Sequence, residues 1–165
     1  MAIGGNSPEG YPVIRDTQVT STATAAVYQP GTVFVHKDVN GEWALAKYVQ
    51  LDNSGCSQGE ALVTNYATLK SYSVSKAATS DAHRPHFRGI AAATIASQSF
   101  GFMFIGGYVE KADSSITTAS GDYLGISAST AGKLTTINPS PNVFAVARTA
   151  FATGVGSVSI IGMWG

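Results

Sequence analysis

The feature that most constrains the fold is a hairpin signal in the first third of the chain. Two runs rich in β-branched and aromatic residues, 32–37 and 43–51, flank the turn segment 38–42. The Asn40-Gly41 pair in that segment supplies the positive φ angles that a type I′ hairpin turn requires. Large apolar residues alternate along the second run. We therefore predict two antiparallel strands that share one apolar face.

The rest of the chain extends this β pattern. Val, Ile and Thr total 40 of the 165 residues, against 28 for Glu, Lys, Leu, Gln, Met and Arg together. Because β-branched side chains prefer the pleated surface of a sheet, this balance favours strands over helices. Further strands are predicted at residues 60–64, 69–75, 87–95, 100–108, 123–127, 133–137, 143–147 and 157–164. We predict an all-β domain over residues 32–165, a small antiparallel β-barrel or sandwich.

Three short segments share a turn motif centred on glycine. Gly31, Gly59 and Gly121 are each followed by a polar residue, one variable residue and a large apolar residue. Glycine tolerates the left-handed conformation that many turns need. The motif therefore predicts a left-handed glycine in each turn and, three residues later, a side chain that points into the core.

Residues 1–31 differ in amino-acid composition from the rest of the chain. Five Gly and Pro residues between positions 4 and 12 interrupt regular structure, and residues 17–26 are rich in Thr, Ser and Ala without any charge. Such a segment buries too little apolar surface to offset its ordering entropy alone. We predict an extended N-terminal arm, with a disordered tail as the alternative. In the arm, a groove on a neighbouring subunit accommodates Ile3, Tyr11, Val13 and Ile14. Deletion of residues 2–26 is then expected to leave the β domain folded.

The charge balance of the chain indicates which class of macromolecule it is suited to bind. The chain has ten Lys and Arg residues and ten Asp and Glu residues, and only 12% of its residues are charged. A neutral chain is a poor general binder of nucleic acid, whereas near-zero net charge promotes association between proteins. The one local basic cluster, Arg84 and Arg88, is a solvated loop or a contact to an acidic partner surface.

Neither a membrane segment nor a secretory signal is predicted. Residues 89–109 carry no charge, but a polar triplet and three glycines favour a turn between strands over a spanning helix. The first ten residues lack the basic and apolar regions of a signal peptide.

No cofactor or metal site is predicted. Asp81, His83 and His86 are three possible metal ligands within six residues. Pro85 prevents the two histidines from sharing a helical face as paired zinc ligands often do, and no second His or Cys cluster completes the coordination shell.

No catalytic residue is predicted either. Cys56 and Ser57 lie in a Gly-x-Ser-x-Gly sequence at 55–59, but that motif forms a nucleophile elbow only between a strand and a helix. Here the following run, 60–64, predicts a strand. The closest carboxylate pairs lie in predicted turns beside lysines, which is typical of solvated charge. We predict that the protein is not an enzyme.

Two strands carry apolar residues on both faces. Phe102 and Ile105 lie on opposite faces of the run 100–108, as do Trp164 and Ile161 at the end of the chain. Such a strand is central to a layered core or is covered by a second chain. These four residues are therefore candidate subunit-interface residues.

The sequence from residue 88 onward resembles the small head-decoration (cement) proteins of tailed bacteriophages. In these proteins an aliphatic Gly-Ala strand precedes a Gly-aromatic strand that ends in Gly-Tyr-Val, as residues 88–93 and 100–109 do here. The resemblance continues through 119–124, 130–134, 146–150 and 158–161. It covers about residues 88–161, close to half the chain.

The resemblance implies a structural virion protein on the capsid exterior. Such proteins are β-rich and often trimeric, sit at threefold or quasi-threefold positions, and bridge major capsid protein subunits against internal DNA pressure. The implied partners are the major capsid protein and further copies of this chain in a homotrimer, with no nucleic acid and no membrane. The alternative is a receptor- or glycan-binding virion module of the fibre or spike kind, which would expose aromatic loops.

Overall fold

Twelve strands dominate the part of the chain that the structure, a computed structural model, describes: residues 4–6, 10–65, 70–83, 88–137 and 143–161. The all-β prediction is confirmed. The strands are β1 (Gly4–Asn6), β2 (Pro12–Ile14), β3 (Val33–Lys37), β4 (Trp43–Leu51), β5 (Ala61–Thr64), β6 (Ser73–Lys76), β7 (Arg88–Ala91), β8 (Phe100–Ser114), β9 (Tyr123–Ile126), β10 (Leu134–Thr136), β11 (Ala145–Ala147) and β12 (Gly154–Ile160). A short helix, α1 (Asp16–Val19), and a 3₁₀ helix (Thr79–His83) are the described helices.

The hairpin predicted from Asn40-Gly41 is formed by β3 and β4, which pair antiparallel from Lys37 opposite Trp43 onward. Its turn is not type I′, because Gly41 has a φ of 86° but Asn40 does not have a positive φ. Instead, the Asp38 carboxylate accepts hydrogen bonds from the backbone amides of Asn40 and Glu42 at 2.9 and 2.8 Å. An Asx-type turn therefore replaces the predicted turn geometry.

The long strand β8 is the spine of the sheet. Its first half pairs with β4 and β7, and its second half pairs with β12 and, at Ser114, with β10. Following the pairings β4–β6–β5–β7–β8 leads back to β4, and following β8–β10–β9–β11–β12 leads back to β8. Two closed rings of five strands therefore share one strand, a barrel-like arrangement that leaves few open edges.

The sheet is mixed, because three parallel pairings occur among the antiparallel ones. Strand β2 runs parallel to β3, β4 to β6, and β8 to β10. Each parallel pair joins segments that lie far enough apart in sequence for the chain to cross over between them.

The two faces of β8 are covered by two hydrophobic clusters of the same chain. Phe102 is fully buried among Tyr28, Phe34 and Tyr48, whose ring centroids lie 5.0–5.7 Å from its own. Met103, on the other face, is fully buried in a smaller cluster within the first ring. Strand β8, which is apolar on both faces, therefore lies at the centre of the core of its own chain.

The glycine turn motif is confirmed at all three positions. Gly31, Gly59 and Gly121 have φ angles of 93°, 85° and 90°. Each amide donates a hydrogen bond of 2.7–2.9 Å to a carbonyl of another segment. The residues three positions later are buried: Phe34, Leu62 and Leu124.

The described part of the N-terminal segment, residues 4–6 and 10–31, lies on the sheet of its own chain. Strand β2 pairs with β3, and Ala23 exchanges two backbone hydrogen bonds with Phe100. Ile14 and Val19 are only 2% exposed and belong to the main core cluster. The prediction that Ile14 packs in a groove on a neighbouring subunit is therefore corrected.

A partly buried ion pair links β8 to the residue that precedes β10 within the second ring. The Lys133 ammonium, next to β10, contacts the Asp113 carboxylate on β8. The Asp113 amide also donates to the carbonyl of Gly59 at 2.9 Å. Within the described residues the second carboxylate oxygen of Asp113 has no hydrogen-bond partner, so this charge depends on Lys133.

Lys133→Met is expected to lower the free energy of unfolding by about 2–3 kcal/mol, because it leaves the Asp113 carboxylate buried without its cation. Adding Asp113→Asn in the same chain is expected to recover part of that loss, since the buried charge is then gone. Urea unfolding of the parent, both single variants and the double variant measures the coupling. Strictly additive losses in the double variant would contradict a stabilising interaction between Lys133 and Asp113.

Candidate functional site

An open cleft of about 250 Å³ lies between the tip of the β3–β4 hairpin, helix α1 and strand β8. Its floor is apolar and consists of the buried side chains Val19, Ala92 and Phe104. These residues come from the helix, the segment after β7 and the spine strand. The cleft therefore forms only where the N-terminal segment packs against the two-ring body.

The rim of the cleft is polar and mainly acidic. The carboxylates of Asp16, Asp38 and Glu110 line it, and Lys111 is the one lysine beside them. Tyr108 contributes an aromatic ring to the same wall. The Arg148 guanidinium also lies 5.6 Å from the Tyr108 ring centroid, so two cationic groups accompany the three carboxylates.

A histidine–carboxylate contact closes one side of the cleft. The Nε2 atom of His36 contacts the Oδ1 atom of Asp16, which ties α1 to β3. The His36 ring is buried and lies 5.5 Å from the ring of Phe104. The hydroxyl of Thr20, also in the lining, donates to the backbone carbonyl of Asp16 at 2.9 Å. The contact between His36 and Asp16 therefore positions helix α1 against β3.

Sequence reasoning missed this cleft. His36 and Asp16 are 20 residues apart, and no spacing rule pairs them. The parallel pairing of β2 with β3 brings the two together, and such a pairing leaves no local signature in the sequence.

Several large apolar side chains are exposed. The exposed fractions are 86% for Val39, 55% for Val155, 48% for Trp43 and 45% for Ile161. The Lys37 ammonium lies 5.1 Å from the Trp43 ring centroid, so that ring carries a cation–π contact.

Trp43 begins β4 and Ile161 directly follows β12, and both of these strand ends lie beside the middle of β8. Gly107 on β8 is the register partner of Ala44 on β4 and of Ile160 on β12. Because Trp43 and Ile161 each adjoin one of these residues, they flank the midpoint of β8. We call Val39, Trp43 and Ile161 the hairpin-end patch.

The predicted interface residues differ in how exposed they are. Ile161 and Tyr11 are exposed, whereas Val13 and Ile105 are half-buried. The prediction of Phe102 as an interface residue is corrected, because its own chain covers it completely. Arg88 begins strand β7. The remaining candidates lie outside the described residues: Ile3, Arg84 and Trp164.

The Gly-x-Ser-x-Gly sequence forms a tight turn. The Glu60 amide donates to the carbonyl of Ser57 at 3.2 Å, the Glu60 carboxylate accepts from the Ser57 amide at 2.8 Å, and strand β5 follows. Cys56 is buried, and desolvation by burial raises the pKa of its thiol to about 11. At neutral pH the residue is a protonated thiol, which is a weak nucleophile.

Iodoacetamide is expected to alkylate Cys56 at pH 8 about 100-fold more slowly in the folded protein than in urea, because the raised pKa reduces the thiolate fraction. Mass spectrometry of timed samples measures both rates. Equal rates in the two conditions would contradict the buried, protonated thiol.

The possible metal ligands are only partly described. The Asp81 carboxylate accepts a hydrogen bond from the Ala78 amide at 2.8 Å and so supports the 3₁₀ helix. His86 lies outside the described residues. Within the described ranges no three His, Cys, Asp or Glu side chains are grouped to hold a metal ion.

Comparison of the sequence with models of known protein families and with curated proteins finds no match. In the described part of the chain, no helix has the length and apolar character needed to cross a membrane.

Proposed function

We propose that this protein is a structural virion protein that binds the outside of a phage capsid and stabilises it by bridging major capsid protein subunits. The observation that carries the proposal is the resemblance of residues 88–161 to head-decoration proteins. This stretch runs from β7 through β12 and so includes every strand of the second ring. The resemblance therefore follows a complete structural unit.

The surface supports a binding role. In the hairpin-end patch, Trp43 is the first residue of β4 and Ile161 directly follows β12, and both side chains are exposed. Trp is enriched in the cores of protein interfaces, and a patch held on strands loses little conformational entropy when it is covered. We propose this patch as the contact with a capsid subunit or with a second copy in a homotrimer.

The stabilising mechanism is binding linkage. A protein that binds the assembled lattice but not the separated subunits stabilises the lattice by its own binding free energy, about 2.7 kcal/mol per site at a concentration 100 times Kd. A homotrimer adds avidity, because three weak contacts act together. The low charge of the chain, 12%, suits contacts made without strong ionic steering.

Co-sedimentation with capsids of its own phage tests the binding. The double variant Trp43→Ala, Ile161→Ser is expected to weaken binding at least 10-fold, since it removes two exposed apolar contacts. Val155→Ser is the matched control, because Val155 is also about half exposed but lies near the opposite end of β12. Equal binding by the parent and the double variant would contradict the patch, and no binding by the parent would contradict the proposal.

A receptor- or glycan-binding module is the second candidate. It is favoured by the exposed rings of Trp43 and Tyr123, which are 48% and 44% accessible. A glycan array with the purified protein separates the two functions. Specific glycan binding that is lost in Trp43→Ala or Tyr123→Ala, without capsid binding, would favour this alternative.

A further inference from the structure

We infer that Asn40, at the tip of the β3–β4 hairpin, is a site of spontaneous deamidation and that the Asp38 side chain sets the rate of the reaction. The modified surface adjoins the hairpin-end patch. Neither the site nor its rate depends on the proposed function.

Asn40 has the sequence context in which deamidation is easiest. It is the only one of the six asparagines in the chain that is followed by glycine. The backbone nitrogen of the following residue is the nucleophile, and glycine has no side chain that obstructs its approach. Because the attacked carbon lies only a few bonds away in the same chain, the reaction gains from intramolecular proximity.

The reaction takes up water and releases ammonia. The Gly41 nitrogen bonds to Cγ of Asn40 and loses its proton, and the bond from Cγ to Nδ2 breaks as ammonia leaves. One water then adds to either carbonyl carbon of the resulting succinimide ring. The ring opens to an aspartyl or an isoaspartyl residue at position 40. A neutral amide is thereby replaced by a carboxylate, without any oxidation or reduction.

The tip of the hairpin is accessible to water and is weakly held by the rest of the molecule. Val39 is 86% exposed, and Asn40 and Gly41 are exposed as well. A segment with few buried contacts opens locally at a small cost in free energy. The turn therefore samples open conformations without unfolding of the sheet.

The closed turn restrains the groups that react. The Gly41 amide donates to the backbone carbonyl of Asp38 at 3.1 Å, so the nucleophilic nitrogen is engaged in the turn. The Asp38 carboxylate accepts from the backbone amides of Asn40 and Glu42 at 2.9 and 2.8 Å, and from Nδ2 of Asn40 at 3.5 Å. Deamidation then proceeds from the opened turn, and the Asp38 contacts determine how often the turn opens.

The product changes the surface beside the hairpin-end patch. Asp38 and Glu42 already place carboxylates on both sides of position 40. Deamidation adds a third negative charge next to Val39 and close in sequence to Trp43. An isoaspartyl residue also lengthens the backbone of the turn by one atom, which disturbs the entry into β4.

Mass spectrometry of timed samples of the full chain at pH 8, digested under acid conditions, measures deamidation at each asparagine. We expect Asn40 to react before any other asparagine in the folded parent. Asp38→Ala is expected to speed its reaction about 3- to 10-fold, because the closed turn loses the acceptor of two backbone amides. Asp38→Asn keeps an oxygen that accepts these amides and is expected to react within about 2-fold of the parent.

Two references separate opening of the turn from global unfolding. The parent in concentrated urea gives the rate of the open chain, which is expected to exceed that of the folded parent at least 10-fold. Tyr123→Ala changes an exposed ring on β9, leaves the turn intact, and is expected to react at the parent rate. A faster reaction at another asparagine, equal rates for the parent and Asp38→Ala, or no reaction at position 40 in either chain would overturn the inference.

Discussion

Phe102→Ala is expected to lower the free energy of unfolding by about 4 kcal/mol, through lost burial and the cavity left behind. Phe102 is fully buried and is packed against the rings of Tyr28, Phe34 and Tyr48. It also lies on the strand that both rings share, so no alternative surface replaces its contacts. Urea unfolding followed by tryptophan fluorescence measures the loss.

Tyr123→Ala is the matched control, because that ring is 44% exposed at the start of β9. Its cost is expected to stay near 1 kcal/mol or below. A loss below about 1 kcal/mol for Phe102→Ala would contradict the placement of Phe102 in the central core.

Deletion of residues 2–26 is expected to destabilise the protein by roughly 3–6 kcal/mol, which is comparable to the whole stability of many domains. The deletion removes β2 and α1 and with them Ile14 and Val19, each worth about 1.5–3 kcal/mol when buried. This result is the opposite of the expectation from sequence. Thermal unfolding by circular dichroism measures it.

The shorter deletion of residues 2–9 retains both buried side chains and is the control. It is expected to be much less destabilising than the longer deletion. Full stability in the chain that lacks residues 2–26 would show that the segment is an arm after all.

Local patterns predicted the strands of the first hairpin, the three glycine turns and the all-β class. Asn40-Gly41 marked the hairpin correctly but not its turn type, because the Asp38 carboxylate was free to bond two amides. A turn signal in the sequence reports that the chain reverses, while side-chain hydrogen bonds decide which turn forms.

The long-range pairings between strands could not be predicted from the sequence. The shared spine β8 pairs with four strands along its length, and alternation in 100–108 does not distinguish a central strand from one covered by a second chain. The same limit applies to β2, a three-residue strand without alternation. The parallel pairing of β2 with β3 positions α1. The cleft forms only because α1 lies there.

We propose that the protein stabilises an assembled capsid. The direct measurement heats DNA-filled particles of its phage, with and without saturating protein, and follows DNA release with an intercalating dye. Particles carrying the protein are expected to release DNA at a higher temperature, and particles mixed with the Trp43→Ala, Ile161→Ser variant are expected to match bare particles. Release at the same temperature with and without bound parent protein would contradict the claim.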